Sequence, residues 1–429
     1  MTGRLWCVRW ARSGSPPNRG SRSRVGLGIS VCLSWRNARS EPSSSRESSE
    51  TPTGRRYTMP RFWLVILGMC LGLSIGIPDG AWAGGKTFAG KRIISEEGID
   101  WTTKEKADAI LARIKDARFN VFMPIVWHGR GANWPSQYAD WDYWLKAVPK
   151  TNFDPLKYLI ERAHAMGIEV HPWFNLALRE GDFLPQFAPP GTPHLAFDVH
   201  MPEFRHLMAN LVAEVVAKYD VDGINLDIVR TMGLCSSDFC KADYQRRYGR
   251  DLAADTLQFN VTFGRVPTLV DYQESDVTAM VQEISQRIRA IKPNIVISAD
   301  AIPLLASVDQ GQNSIDWENK GLVDVICRMD YYLNIDAKLT DTIRGRLKNP
   351  DALTIVISNV SLEERRPEQD YFSRDGKWLA DTISLIMDHW PNTGVAVYMS
   401  RWLSDDQINK LKQGPFRLPA PLNLRAVSP

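Results

Sequence analysis

From about residue 87 onward, apolar residues recur in two alternating rhythms. Ala107, Ile110, Leu111, Ile114 and Ala117 repeat at helical spacing behind a Thr102–Glu105 capping box. A largely apolar run over 120–127 follows, as a buried strand would read. Asp154 and Pro155 open a second helix with Leu156, Leu159 and Ala163 on one face and Gly167 as its stop, and the next strand covers 168–175. A helix begun by Pro202 carries Phe204, Leu207, Leu211, Val212 and Val215 and leads to a strand over 221–229. The same pattern predicts a helix over 276–291 before a strand at 295–300, a short helix near 316–320 before a strand at 323–332, and strands at 353–360 and 394–402 separated by a helix near 378–389. With 87–95 as the first strand, there are eight strand–helix units.

Strands that alternate with helices pair in parallel, and eight of them over this length close into a (β/α)8 barrel, a TIM barrel forming one domain over 84–429. The rival is a doubly wound open sheet for a dinucleotide. It would place a G-x-G-x-x-G turn after the first strand, and none stands there.

The chain ahead of the barrel has another character. Residues 59–83 carry one positive charge at Arg61, an apolar run over 62–77 and the small-x-small ending Ala81-Trp82-Ala83, which together predict a secretory signal peptide cleaved after Ala83. Cleavage would leave no stable membrane span and place the protein outside the cytoplasm, secreted or periplasmic. Uncleaved, the segment would be an anchor. Residues 1–58 form an Arg/Ser-rich leader without periodicity, expected to be disordered. The composition fits a transit peptide, or an upstream methionine read as the start.

Charge follows the same division. Residues 1–58 hold 11 Lys and Arg against 3 Asp and Glu, and 59–83 hold one of each sign. Of the chain's formal +3, the remainder therefore carries 40 basic against 45 acidic residues, a net −5. A mildly acidic body lacks the basic footprint of a nucleic-acid binder, so no nucleic-acid partner is expected. Three cysteines lie in this body. Cys235 and Cys240, in a polar stretch, read either as a small disulfide or as two free thiols, and Cys327 as a buried apolar residue. No Cys or His spacing suits a metal, so neither metal nor cofactor is expected.

In such a barrel chemistry sits where the strands end. Within Gly223-Ile224-Asn225-Leu226-Asp227, side chains alternate. Ile224 and Leu226 should meet helices while Asn225 and Asp227 point inward, Asp227 near the top. An inward carboxylate there is costly unless paired or functional. Asp222, at the start of that strand, reads as a turn or cap residue. Asp300 ends the fifth strand, and Arg328, Asp330 and Tyr332 share one face of the sixth. Three acids at one mouth, Asp227, Asp300 and Asp330, suit glycosidic cleavage, in which one acid protonates the leaving oxygen and another acts as nucleophile or base. Substrate contacts are expected from Trp127, His128 and Trp134 in the aromatic loop after the second strand, which also holds Tyr138, Trp141, Tyr143 and Trp144. Others are expected from His171, Trp173 and Asn175 on the third strand, Asn225 and Arg230 on the fourth, Arg328 and Tyr332 on the sixth, and Trp402 on the last, where Tyr398 is a second candidate wall.

Four stretches carry a family resemblance: IEVHPWFNL at 168–176, YDVDGINLDIVR at 219–230, AIKPNIVISADA at 290–301 and IDWENKGLVDVICRMDYY at 315–332. In words, order and spacing, the body over about 86–405 resembles the bacterial family-10-like glycosyl hydrolases, the glycosyl-hydrolase-like-10 barrels. The resemblance implies a TIM barrel, an exported protein and a glycan substrate; some relatives cleave cell-wall glycan strands that have lost their peptides. Two departures stand out. Arg230 runs into Thr231-Met232 where the family continues into Tyr-Pro, and Arg328-Met329-Asp330-Tyr331 replaces a Pro-Gln-x-Tyr pattern. The two strand-end glutamates of true family-10 xylanases are absent. Asp227 falls where α-amylase-like barrels keep a nucleophilic aspartate, an analogy of position only. The expected function is thus an exported glycoside hydrolase acting on a polysaccharide or oligosaccharide; the alternative is a non-catalytic carbohydrate-binding barrel.

Overall fold

The computed structural model describes residues 86–418 other than 263, 305 and 362–371. The leader expected at 1–58 and the signal peptide expected at 59–83 lie outside the described residues.

Eight parallel strands close on themselves. They are β1 (Arg92–Glu96), β2 (Val121–Trp127), β3 (in two pieces, Glu169–Val170 and Trp173–Asn175), β4 (Gly223–Asp227), β5 (Val296–Ala301), β6 (Val325–Met329), β7 (Leu353–Ser358) and β8 (Val395–Tyr398). Each pairs with the next, and β8 returns to β1, where Ile93 faces Ala396 on one side and Val121 on the other. The expected (β/α)8 architecture is therefore present, with strand ends a few residues inside the apolar runs.

The helices around it are α1 (Lys104–Asp116), α2 (Pro155–Ala165), α3 (Pro202–Lys218), α4 (Asp238–Tyr248), α5 (Leu252–Thr262), α6 (Pro267–Ile291), α7 (Ala306–Gln310), α8 (Ser314–Asn319), α9 (Ala337–Arg344), α10 (Gly376–His389) and α11 (Asp405–Gln413). Their starts follow local chemistry. Asp154 caps α2, its Oδ1 accepting from the Lys157 N–H, with Pro155 at the first helical position. The cap of α1 is Thr103, one residue later than expected, because Thr102 closes a short 3-10 turn and gives its hydroxyl to Ile99 O. The segment after β4 folds into α4 and α5 and the first turns of a 25-residue α6, which begins nine residues ahead of the helix expected over 276–291. These enclose a satellite core of Tyr244, Leu252, Phe259, Leu269 and Tyr272. The stretch is polar on several faces, which hid its helices. Cys235 and Cys240 are joined in a disulfide at its entry.

Two cores result from the alternation of strand side chains. Ile94, Phe122, Phe174, Ile224, Leu226, Ile297, Ile326, Ile355 and Val397 face the helices. Inside the barrel lie Ile93, Val121, Met123, Ile125, Trp173, Val325, Cys327, Val356, Ala396 and Tyr398. The inner stack is apolar over much of its depth, with His171 near the bottom, and grows polar toward the carboxyl ends of the strands, most of all β3, β4 and β5. No helix among the described residues is long and apolar enough to cross a membrane.

Candidate active site

β3, β4 and β5 run in register, with Asn175 opposite Asp227, Asn225 opposite Ser298, and Leu226 opposite Ala299. One step further along, Asp227 and Asp300 lie side by side. The alternation in GINLD places them there, since outward Ile224 and Leu226 are fully buried under helices. Asn225 spans the pair's base. Its Nδ2 donates to Asp300 Oδ2 at 3.0 Å, while its Oδ1 accepts from the Ser298 hydroxyl at 2.8 Å.

The chain turns sharply after Asp227. Ile228 has φ of 51°, a left-handed conformation strained for a β-branched residue, at a cost on the order of 1–3 kcal/mol. The turn aims the Ile228 N–H at Asp227 Oδ1, 2.6 Å away. Strain held at the end of a barrel strand, beside a carboxylate, is the kind of feature functional sites retain.

The two acids differ electrostatically. Burial pushes both carboxyls above the usual range. For Asp227 this is opposed by the Arg230 guanidinium and the Ile228 N–H. For Asp300 the negative charge of Asp227 adds to burial, and its carboxyl rises well above the ordinary value. Of the two, Asp300 therefore holds a proton the more firmly, and Asp227 gives one up the more readily.

A third acid, missed from sequence, is Glu97, just beyond β1. It accepts from the Tyr398 hydroxyl and from His128 Nε2, the latter at 2.9 Å, and its charge acts on Asp227. Its predecessor Glu96 turns away to Ser400 and Arg401. Nothing in the pattern told two consecutive glutamates apart. His128 Nδ1 meets Glu180 at 2.6 Å, so both ring nitrogens face carboxylates. Burial disfavours its charge, but the two glutamates outweigh this and raise its pKa.

The remaining candidates divide. Asn175 and Arg230 line the mouth: both polar atoms of buried Asn175, and Arg230 Nε and Nη1, make no hydrogen bond among the described residues. Trp173 and Tyr398 stack edge-on below, at 6.4 Å, and half-buried Trp402 packs on Tyr398 at the same spacing. Asp330, by contrast, does not join the other acids. Its Oδ2 accepts from Arg328 at 2.5 Å, and Arg328 also donates to Thr340 on α9. This ion pair lies between β6 and a helix, outside the barrel, so Arg328 does not face substrate either. Tyr331 takes the inner position, its ring 5.6 Å from that of Tyr398, while Tyr332 is exposed past the strand. His171 sits too deep. It is four residues below Asn175, roughly 13 Å at strand rise, packed against Phe88 and so close to Gly223 that a Cβ there would lie 2.4 Å from its ring. Trp127 and Trp134 are fully buried, Trp127 against Phe183 and Trp134 donating its indole N–H to Glu214. They hold the loop rather than face a ligand.

A closed parallel barrel whose mouth holds paired carboxyls of unequal proton affinity beside an aromatic wall has the layout of a carbohydrate-active enzyme. Comparison with known proteins narrows this: the glycosyl hydrolase-like 10 model matches residues 90–187 and 186–345, and the chain belongs to that family. It is 23% identical over 229 residues to glycosyl hydrolase YngK of Bacillus subtilis, covering 47% of this chain and 42% of the relative. It is 22% identical over 241 residues to glycosyl hydrolase DigH of Escherichia coli K12, covering 47% and 52%. The chain thus spans about half the length of the curated relatives it matches. Among solved structures it resembles the β-amylase catalytic domain of Paenibacillus polymyxa, with TM-score 0.51, 10% identity, and 77% and 99% of the two chains covered. It also resembles the PgaB (BpsB) glycoside hydrolase domain of Bordetella bronchiseptica, with TM-score 0.50, 12% identity, and 75% and 98% covered. Both likenesses concern the fold.

Proposed function

We propose that this protein is an exported glycoside hydrolase that cleaves glycosidic bonds of a polysaccharide, a cell-wall glycan or exopolysaccharide, by carboxylate catalysis. The observation that carries the reading is the Asp227–Asp300 pair: adjacent, the first buried and the second half-buried, and split in proton affinity by the neighbours each has. Asp300 gives its proton to the leaving glycosidic oxygen. Asp227, whose ionised form Arg230 and the Ile228 N–H favour, faces the anomeric carbon as nucleophile or as base for the water whose oxygen replaces the leaving group there. Asn175 and Arg230 offer unused donors at the same level for sugar hydroxyls, and Tyr331, Tyr398 and Trp402 supply an aromatic wall. The signal expected at 59–83 and the Cys235–Cys240 bond support a site of action in an oxidising, extracytoplasmic compartment.

Reducing-end release by the purified protein, measured on peptide-free peptidoglycan strands, α- and β-glucans and amino-sugar polymers, tests this. Release from one polymer class supports the reading and names the substrate. A folded protein that binds one of these glycans and releases nothing would be a carbohydrate-binding barrel instead.

A further inference from the structure

The loop after β2 carries two neighbouring aromatic residues that the catalytic pair does not use. Tyr143 and Trp144 are 50% and 43% exposed, unusual for adjacent large rings unless they meet a ligand. Their rings stand edge to face, with centroids 6.1 Å apart at 87°. Trp144 is held in place from beneath. The Arg130 guanidinium lies 3.8 Å from the Trp144 ring centre, is itself only 2% exposed, and donates to Asp142 at 2.7 Å and Glu180 at 2.8 Å. Asp142 Oδ1 in turn accepts the Trp144 N–H at 2.9 Å. The loop backbone is pinned by Ala132, whose N–H and carbonyl pair with Asp140 and Asp142.

We infer that Tyr143 and Trp144 form a rim subsite that binds the apolar face of a sugar in a glycan chain, outside the residues that break the bond. Three observations meet here. The rings are open on the side away from Arg130, and sugar C–H faces stack on such surfaces. The Trp144 ring is fixed in advance, so little of its side-chain freedom is lost on binding. Glu180, which Arg130 holds, also holds His128, and His128 reaches Glu97 in the mouth, so a continuous chain of largely buried polar contacts ties the platform to the acids. The inference rests on the glycan-cleaving reading of that mouth and adds to it that the substrate extends past the reacting sugars.

Affinity electrophoresis in gels cast with peptide-free peptidoglycan strands, soluble starch, mixed-linkage β-glucan or chitosan, run beside thermal unfolding to check the fold, tests it. The wild type is expected to be retarded by at least one of the four, with Kd raised about ten-fold in Trp144→Ala, raised also in Tyr143→Ala, and largely restored in Trp144→Phe. Retardation unchanged in folded Trp144→Ala and Tyr143→Ala, or absent with all four glycans, overturns the subsite. The two proposals fail separately: hydrolysis with no change on Trp144→Ala leaves the catalytic reading and removes the subsite, whereas binding lost on Trp144→Ala without hydrolysis by the wild type does the reverse.

Discussion

Asp300 lies beside Asp227 at the carboxyl ends of adjacent strands, and the charge of Asp227 adds to burial in keeping Asp300 protonated. The arrangement serves catalysis at the expense of stability. An Asp raised above its ordinary pKa of about 3.9 stabilises the fold fully only below that value, and the contribution is lost as pH rises through the folded-state value. Asp300→Asn is therefore expected to raise the unfolding temperature at pH 7, with the gain shrinking toward pH 4 and below, while glycan cleavage collapses. Thermal unfolding against pH checks the sign.

Asp330 should behave in the opposite way. Removing its charge leaves Arg328 a buried cation without its carboxylate, which is expected to cost about 3 kcal/mol. The turnover of the Asp330→Asn protein that remains folded should match the wild type. Denaturant unfolding beside kcat separates the two effects.

His128, with a glutamate at each ring nitrogen and Arg130 nearby, has its pKa raised. Its stabilising contribution is complete below the ordinary His value of about 6.5 and fades as pH climbs through the raised value. The wild type should lose stability as pH rises above about 6.5, and His128→Gln should flatten that part of the curve. A pH scan of the unfolding temperature for both proteins measures it.

The Cys235–Cys240 bond closes a very short ring at the entry to α4. On chain-entropy grounds its reduction should destabilise the region by about 2 kcal/mol. Unfolding with and without reductant, repeated on Cys235→Ser paired with Cys240→Ser, reads this; the paired variant should be insensitive to reductant.

How far the site was legible depends on how strongly each strand's two faces differ. In GINLD the polar and apolar residues alternate strictly, so the inward set was determined, and Asp227 with Asn225 followed. In β6, Val325, Ile326 and Cys327 are all apolar, and no contrast marks the inner face. The charges of Arg328 and Asp330 suggested the mouth, but they neutralise each other beneath α9 while Tyr331 turns inward. His171 does lie on an inner face; alternation says which side a residue takes but not how deep a ligand can reach. Trp127 and Trp134 show that a tryptophan in a loop fits packing as well as display. Glu97 needed the partners of both Glu96 and Glu97, which only the folded chain supplies.

The most direct test of the account is the rate of reducing-end release by Asp227→Asn relative to wild type, on whichever glycan the wild type cleaves, with binding of that glycan measured alongside. The account predicts a loss of about 10³-fold in kcat with the glycan still bound, as removal of one essential catalytic group entails. Turnover within a few-fold of wild type in a folded Asp227→Asn protein would contradict it and move the chemistry to other residues of the mouth.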